Sequence, residues 1–302
     1  MKFNKKLAWM SALAALALIL AGCATTFGAV KNSDNGAKLE TNMITDGTAY
    51  SRKADGTVYN WRHIGGSYSL DEGGNVTISY GDGMNSVKAP LVLSSDVGDA
   101  KPNPENTGFF ISDELTAIAY GEPDSPALIT VIKSVDRGKS WDKVSIDFDN
   151  NVSWINIGFT TKNDGWMVIC SFVGMGQELH YLYTTSDGGK SWTFVDGNIN
   201  DVYNRMLSSA GFINDKIGFV GFRYESDSQA MIYMTQDGGL TWSKVNIGLP
   251  EEYQKYKQTP LSPAFDGENI VLPILLTNEK GEVKTVYMTS SDDGRSWKSD
   301  NS

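Results

Sequence analysis

The stretch Thr184-Thr-Ser-Asp-Gly-Gly-Lys-Ser-Trp192 decides the fold, because near-copies of it end at Trp141, Trp242 and Trp297. The shared pattern is Ser/Thr-x-Asp-x-Gly-x-Ser/Thr-Trp, and its tryptophans are 51, 50 and 55 residues apart. A fixed period of this length predicts an array of similar structural units. The four copies comprise Ser134, Asp136, Gly138, Trp141, Thr185, Asp187, Gly189, Trp192, Thr235, Asp237, Gly239, Trp242, Ser290, Asp292, Gly294 and Trp297.

Each unit contains four short apolar runs, for example WINIGFT, GWMVICSF, LHYLYTT and SWTFVD, which are rich in aromatic and β-branched residues. Such runs predict β-strands. Four strands in about 50 residues match one propeller blade. The sequence therefore predicts an all-β protein, a β-propeller of four-stranded antiparallel blades.

The repeated motif falls between the third and fourth strands, so we expect it to form a turn. The aspartate accepts backbone N–H groups in such turns, and the glycine adopts a positive φ. The tryptophan starts the next strand and is expected to pack between neighbouring blades. A role that occurs four times in a ring indicates structure rather than catalysis.

Clear units lie near residues 105–149, 152–200, 203–249 and 255–301, and residues 45–100 hold further strand-like runs. This favours five blades, or six if residues 24–104 contain two degenerate units. The domain prediction is a single propeller over residues 45–302.

The four motifs resemble the Asp-box, or BNR repeat, of sialidases, sortilin-type receptors and photosystem II stability/assembly factors. The form GFTTKNDGWMVI…LYTTSDGGKSW is most similar to the last group, and the resemblance covers about residues 105–298. It implies propeller architecture and, by analogy with the assembly factors, a binding or scaffold role. The same turn occurs in enzymes and in binding proteins, so it does not select a ligand.

Residues 1–22 combine Lys2, Lys5 and Lys6 with an apolar run that stops at the sequence Leu20-Ala21-Gly22-Cys23. A basic start, a short apolar stretch and small residues at the end predict a secretory signal peptide. The last four residues resemble the bacterial lipobox, which implies lipidation of Cys23. Residues 23–44 then form a flexible tether, and we expect an extracytoplasmic lipoprotein anchored to the cell membrane.

The formal net charge of −10 becomes −13 after cleavage, because residues 1–22 contain three lysines and no acidic residue. This excess of negative charge argues against a nucleic-acid partner. Cys170 is expected to be a buried, inert side chain, and His180 a satisfied structural residue. No metal-ligand spacing is recognisable, so we predict no metal and no cofactor. We also expect a monomer.

Catalysis of the sialidase type is the alternative. Sialidases surround the substrate carboxylate with three arginines. In this chain four arginines lie outside the repeated motifs: Arg52, Arg62, Arg205 and Arg223. The Phe/Tyr-Arg-Ile-Pro motif of that family is missing. Arg223, Tyr224 and Glu225 are adjacent, but neighbouring strand residues point to opposite faces. We therefore predict no enzymatic activity, with a sialidase-like glycoside hydrolase as the alternative.

The predicted ligand surface is the propeller face opposite the repeated motifs, formed by inter-blade loops and by the loop with Gly174 and Gly176. Aromatic and arginine side chains suit a protein or glycan partner. The candidates are Trp154, Tyr203, Arg205, Arg223, Tyr253 and Tyr256. The predicted function is a non-catalytic binding or scaffold module; a carbohydrate-binding surface lipoprotein is a third interpretation.

Overall fold

The computed structural model describes residues 66–81, 85–96, 100–122, 128–224, 228–265 and 269–299, together with the backbone of Thr41–Met43 and Ala49–Ser51. All of these residues belong to one compact unit, Lys38–Ser302. Cys23, Arg52, Arg62, His63 and Glu225 lie outside the described residues. Among the residues that the structure describes, no helix is both long and apolar enough to span a membrane.

The described chain is almost entirely β-structure, in agreement with the predicted fold class. Strands β1 and β2 form a two-stranded ladder, and β3–β22 form five antiparallel sheets. The strands are β1 Thr41–Met43, β2 Ala49–Ser51, β3 Gly66–Leu70, β4 Asn75–Tyr80, β5 Asn85–Val92, β6 Gly108–Ile111, β7 Thr116–Gly121, β8 Leu128–Ser134, β9 Asp142–Asp147, β10 Trp154–Phe159, β11 Gly165–Gly174, β12 Gln177–Thr185, β13 Thr193–Phe194, β14 Met206–Phe212, β15 Gly218–Arg223, β16 Met231–Thr235, β17 Ser243–Lys244, β18 Lys257–Pro260, β19 Ala264–Phe265, β20 Ile270–Thr277, β21 Val283–Ser290 and β22 Lys298–Ser299.

The five sheets are the blades of a β-propeller. We call them blade I (β3–β5), blade II (β6–β9), blade III (β10–β13), blade IV (β14–β17) and blade V (β18–β22). Blades II to IV each contain four strands in sequential order, and blade V has the short β19 as an extra strand. Short helical turns at Pro104–Asn106, Ile199–Val202 and Glu251–Tyr253 lie between blades.

The central strands of blades II to IV are buried on both faces because a blade lies on either side of each of them. Along β11, Met167 and Ile169 pack with residues of blade II, whereas Val168 and Cys170 pack with residues of blade IV. Alternate side chains of a strand point to opposite faces, so a strand between two blades needs apolar residues at every position. This explains the continuous apolar run that starts at Trp166.

The four repeated motifs form turns with the same hydrogen bonds. In blade III, the Thr185 hydroxyl donates to Asp187 Oδ1 at 2.8 Å and accepts from the Gly189 N–H at 2.9 Å. Asp187 also accepts from the Ser191 N–H and hydroxyl, at 3.0 and 2.7 Å. The corresponding contacts recur in blades II, IV and V. Because its oxygens are used by the turn, each aspartate has a structural role here.

The tryptophans of these turns lie in the seams between blades. Trp141 packs between blades I and II, and Trp192 between blades II and III. Trp242 and Trp297 occupy the next two seams in the same way. Three of the four indole N–H groups donate to the carbonyl of the turn glycine at 3.0–3.1 Å, whereas that of Trp192 has no hydrogen-bond partner.

Candidate functional site

The two ends of each blade differ. We call the end of a blade that carries the repeated turn the lower end. The opposite end, at which the first and innermost strand of the blade begins, is the upper end. In blade III the turn lies beside the hairpin between β10 and β11, since the Gly188 N–H donates to the Asn163 carbonyl at 2.8 Å. The hairpin between β11 and β12, residues 172–177, is therefore at the upper end.

The six predicted ligand residues do not form one surface. The six are Trp154, Tyr203, Arg205, Arg223, Tyr253 and Tyr256. The first four lie on blades III and IV or the loop between them, whereas Tyr253 and Tyr256 pack against the core between blades IV and V. Tyr253 is only 4% exposed, and the Lys284 ammonium lies 4.2 Å from its ring centre.

Two of the four also contribute mainly to packing. Trp154 and Tyr203 lie against the core of the seam between blades III and IV, and the Tyr203 ring is 5.3 Å from that of Phe222. Their aromatic character is thus explained by the interior of the protein. All four side chains are partly accessible, and Arg205 is the one that brings a charged group to the upper end of this seam.

Arg205 is the centre of the exposed part of the site. Its guanidinium carbon lies 4.1 Å from the centre of the Tyr224 ring, a cation–π arrangement. Its Nη1 is 3.5 Å from the Met175 carbonyl oxygen, and its backbone forms a β-bridge with Gln177. Arg223 ends β15 at the same end of blade IV, but it pairs with Met206, the residue after Arg205, so the two arginine side chains point to opposite faces of the blade. Arg205 and Tyr224 therefore form the part of this surface that the structure places together.

The hairpin at residues 172–177 protrudes beside Arg205 and is apolar. Phe172, Val173 and Met175 are 53%, 59% and 94% exposed. The register of β11 with β12 shifts between Phe172 and Gly174, and φ is +129° at Gly174, +54° at Met175 and +72° at Gly176. A positive φ is unfavourable for methionine, and exposed apolar side chains are typical of surfaces that contact a ligand.

A glutamate lies directly beneath this surface. Glu178 is 4% exposed, and it accepts from the Ser153 hydroxyl at 2.9 Å and from the Leu207 N–H at 2.8 Å. It thus links blade III to blade IV. Burial acts to raise the pKa of this carboxyl, but the His180 side chain, the Leu207 N–H and the Ser153 hydroxyl together lower that pKa below its usual range.

Cys170 and His180 complete a buried group that the sequence did not reveal. They pair across β11 and β12, and one ligand atom from each of Cys170, Glu178 and His180 lies within 4.8 Å of the others. The predicted burial of Cys170 is observed, and His180 is buried as well. The interpretation of His180 as satisfied is wrong, because neither ring nitrogen has a hydrogen-bond partner. Burial, followed by the Glu178 charge, raises the pKa of the Cys170 thiol, so it is not poised as a nucleophile.

The lower end contains a shallow depression of a different kind. It is lined by Asn214, Lys216, Asp293 and Arg295 among others, next to the turns of blades IV and V. Arg137, in the turn of blade II, pairs with Asp113 at 3.2 Å. These arginines are thus separated from Arg205 by the length of the blades, as expected from the sequence.

No protein-family model matches the chain, and no curated protein matches it. Among solved structures, an α-L-arabinofuranosidase from Fusarium graminearum is 14% identical, with 65% of this chain and 66% of that chain covered and a TM-score of 0.45. A putative exo-β-1,3-galactanase from Bifidobacterium bifidum is 11% identical over 86% and 90% of the two chains, with a TM-score of 0.44. An α-L-arabinofuranosidase from Coprinopsis cinerea is 11% identical over 68% and 70%, with a TM-score of 0.38.

These neighbours are glycoside hydrolases, which contradicts the prediction of a non-catalytic binding or scaffold module without enzymatic activity. The prediction was wrong for a physical reason: the repeated turns occupy the lower end and carry no information about the chemistry at the upper end. Identities of 11–14% and TM-scores below 0.5 transfer no substrate and no catalytic residue to this chain.

Proposed function

We propose that the protein is a glycoside hydrolase whose substrate binds at the upper end of the seam between blades III and IV. The observation that supports this proposal is the arrangement of Arg205, which lies over the Tyr224 ring and next to the Met175 carbonyl. A guanidinium held in one orientation presents a fixed pair of donors, and an aromatic ring with exposed apolar neighbours offers a surface for a sugar.

The substrate class that best suits this site is a glycan with a carboxylate. Arg205 brings a guanidinium group to the upper end of this seam, and guanidinium groups bind carboxylates through paired hydrogen bonds. The neighbouring hairpin has no charged residue between Ser171 and Gln177, so it offers no carboxylate to the Arg205 guanidinium. This is the sialidase-like alternative at the level of substrate recognition.

The experiment is hydrolysis by the full chain of fluorogenic sialoside, glucuronide, arabinofuranoside, galactoside and xyloside. We expect turnover of an acidic glycoside, with kcat/KM lowered about 10–100-fold in Arg205→Ala, since a hydrogen bond to a charged group contributes about 1.5–3 kcal/mol. Arg223→Ala tests whether the arginine on the other face of blade IV contributes as well.

Arg295→Ala is the matched control, because it removes an exposed arginine at the lower end. Its kcat/KM is expected to equal that of the unmodified protein. The proposal fails if no glycoside is hydrolysed, or if Arg295→Ala loses as much activity as Arg205→Ala. Turnover of only the neutral glycosides would reject the acidic substrate class.

We also propose that the protein acts outside the cytoplasm, tethered as a monomer to the membrane through a lipid on Cys23. The basic residues, the apolar run and the Leu-Ala-Gly-Cys sequence support this proposal. Radiolabelled fatty acid is expected to be incorporated into the full chain but not into Cys23→Ala. Label in both proteins, or in neither, would contradict the proposal.

The finer family relationship is a proposal as well: a divergent propeller with Asp-box turns, of the kind found in sialidases and photosystem II assembly factors. Four turns with the same Ser/Thr–Asp–Gly hydrogen bonds support it. The acidic surface, with a net charge of −10 before cleavage, supports the absence of a nucleic-acid partner.

A further inference from the structure

Three potential metal ligands converge in the seam between blades III and IV. Cys170 lies on β11, and Glu178 and His180 lie on β12. One ligand atom from each lies within 4.8 Å of the other two, and all three residues are buried. Thiolate, imidazole and carboxylate are the ligand types that zinc binds in proteins.

The state of His180 indicates that a partner is missing from this group. Its side chain is completely buried, and both ring nitrogens lack a hydrogen-bond partner. A buried polar group without a partner is costly, so such a group in a folded protein requires an explanation. The Phe222 ring, 5.1 Å from the imidazole, covers it from blade IV without offering a hydrogen-bond acceptor.

The distance from His180 Nε2 to Glu178 Oε2 fits metal coordination. It is 3.4 Å, which is long for a charged hydrogen bond. Two ligands each about 2.1 Å from a tetrahedral zinc ion are about 3.4 Å apart, because they form one edge of the tetrahedron. Oε2 also accepts from the Leu207 N–H and keeps a second lone pair for a metal.

We propose that Cys170, Glu178 and His180 form a zinc site on the face of blade III that packs against blade IV. The charges balance: a divalent cation, one thiolate and one carboxylate sum to zero, whereas the carboxylate without a metal is a buried negative charge. A neutral group is the form that a low-dielectric seam accommodates best. The fourth coordination position of zinc is left to a ligand other than these side chains.

The site has a structural role and is independent of the proposed hydrolysis. Glu178 holds the Leu207 N–H at the start of blade IV, and the Glu178 N–H donates to the Asn204 carbonyl at 3.1 Å. Both contacts lie next to Arg205. Zinc in this seam would therefore fix the position of β14 relative to the hairpin at residues 172–177.

The test is metal content of the full chain after removal of metals and dialysis against zinc, followed by the spectrum of the cobalt(II) form. We expect about one zinc per chain and, with cobalt, a thiolate-to-metal charge-transfer band with intense tetrahedral d–d bands. Cys170→Ser is expected to abolish the charge-transfer band, and Glu178→Gln to reduce bound zinc at least about tenfold.

The chain offers matched controls, because it contains only two cysteines and two histidines. Cys23→Ser and His63→Gln remove the other member of each pair and are expected to leave zinc content and the cobalt spectrum unchanged. Loss of binding in either control, or wild-type protein without stoichiometric zinc and without the charge-transfer band, would overturn the proposal. The wild-type spectrum decides the question even if the Cys170 variant does not fold.

Discussion

The glycines at the two ends of β21 provide a direct test of why the repeated turn requires glycine. Gly281 precedes the strand in a hairpin, and Gly294 follows it in the repeated turn of blade V. Their φ angles are nearly equal, +78° and +83°. They differ in their surroundings: a methyl group at Gly281 would meet nothing within 4 Å, whereas one at Gly294 would lie 2.7 Å from Phe219 Cζ.

The difference in surroundings gives the expected magnitude. In both variants, alanine at a positive φ costs about 1–2 kcal/mol, partly offset by about 0.4–1 kcal/mol because alanine restricts the unfolded chain. Gly294→Ala must also displace the ring of Phe219, which is 1% exposed and fixed between blades IV and V. Such overpacking costs about 1–3 kcal/mol. We therefore expect Gly294→Ala to be less stable than Gly281→Ala by about 1–3 kcal/mol.

The assay is equilibrium unfolding of the full chain in urea, followed by tryptophan fluorescence. The unfolding midpoint of Gly294→Ala should lie clearly below that of Gly281→Ala, with an unchanged slope. If the two free energies of unfolding agree within about 0.5 kcal/mol, the backbone angle alone accounts for the glycine. The argument that the turn is packed too closely against the preceding blade for a side chain would then be refuted.

Three further outcomes follow from hydrogen bonds that are made or missing. Trp242→Phe should destabilise the protein by about 1 kcal/mol more than Trp192→Phe, since only the Trp242 indole N–H has an acceptor; equal urea midpoints would contradict this. The hydroxyl and N–H groups of Ser140 and Ser296 lower the pKa of Asp136 and Asp292 from 3.8 to about 2. The two ionised carboxylates stabilise the folded protein fully above pH 4, and this stabilisation declines as the pH falls towards 2. The double variant Asp136→Asn, Asp292→Asn should therefore flatten the acid side of the pH–stability curve. Asn156→Leu should raise the melting temperature, because both side-chain polar atoms of Asn156 are buried without a partner; a lower value would indicate a bound water instead.

The fold was predictable because its determinants are local. The turn from Thr185 to Trp192 is held by hydrogen bonds between residues two to four apart, so the pattern that forms it is contiguous in the sequence. The alternating burial along β11 follows from strand geometry alone. Repetition of these local rules at a constant period was sufficient to predict four blades with the turn between the third and fourth strands, and the strand-like runs in residues 45–100 favoured five blades, with six left open.

The site was less predictable because its residues are assembled across blades. Arg205 was identified from its type and its loop, but its position over Tyr224 depends on how β14 and β15 meet. Tyr253 and Tyr256 are of a residue type that is common on ligand surfaces, yet they pack in the seam between blades IV and V. Nothing local distinguishes an aromatic residue that packs a seam from one that contacts a ligand.

The sequence by itself determined the propeller, its repeated turns and the basic, apolar and Leu-Ala-Gly-Cys pattern of its N-terminus, because each depends on residues close together in the chain. Only the tertiary structure brought Cys170 beside Glu178 and His180 and left the imidazole without a partner. Cys170 lies on a different strand from the other two, and their approach depends on the register between β11 and β12. That register depends on the irregular hairpin at residues 172–177, where it shifts, and cannot be seen in the spacing of three residues.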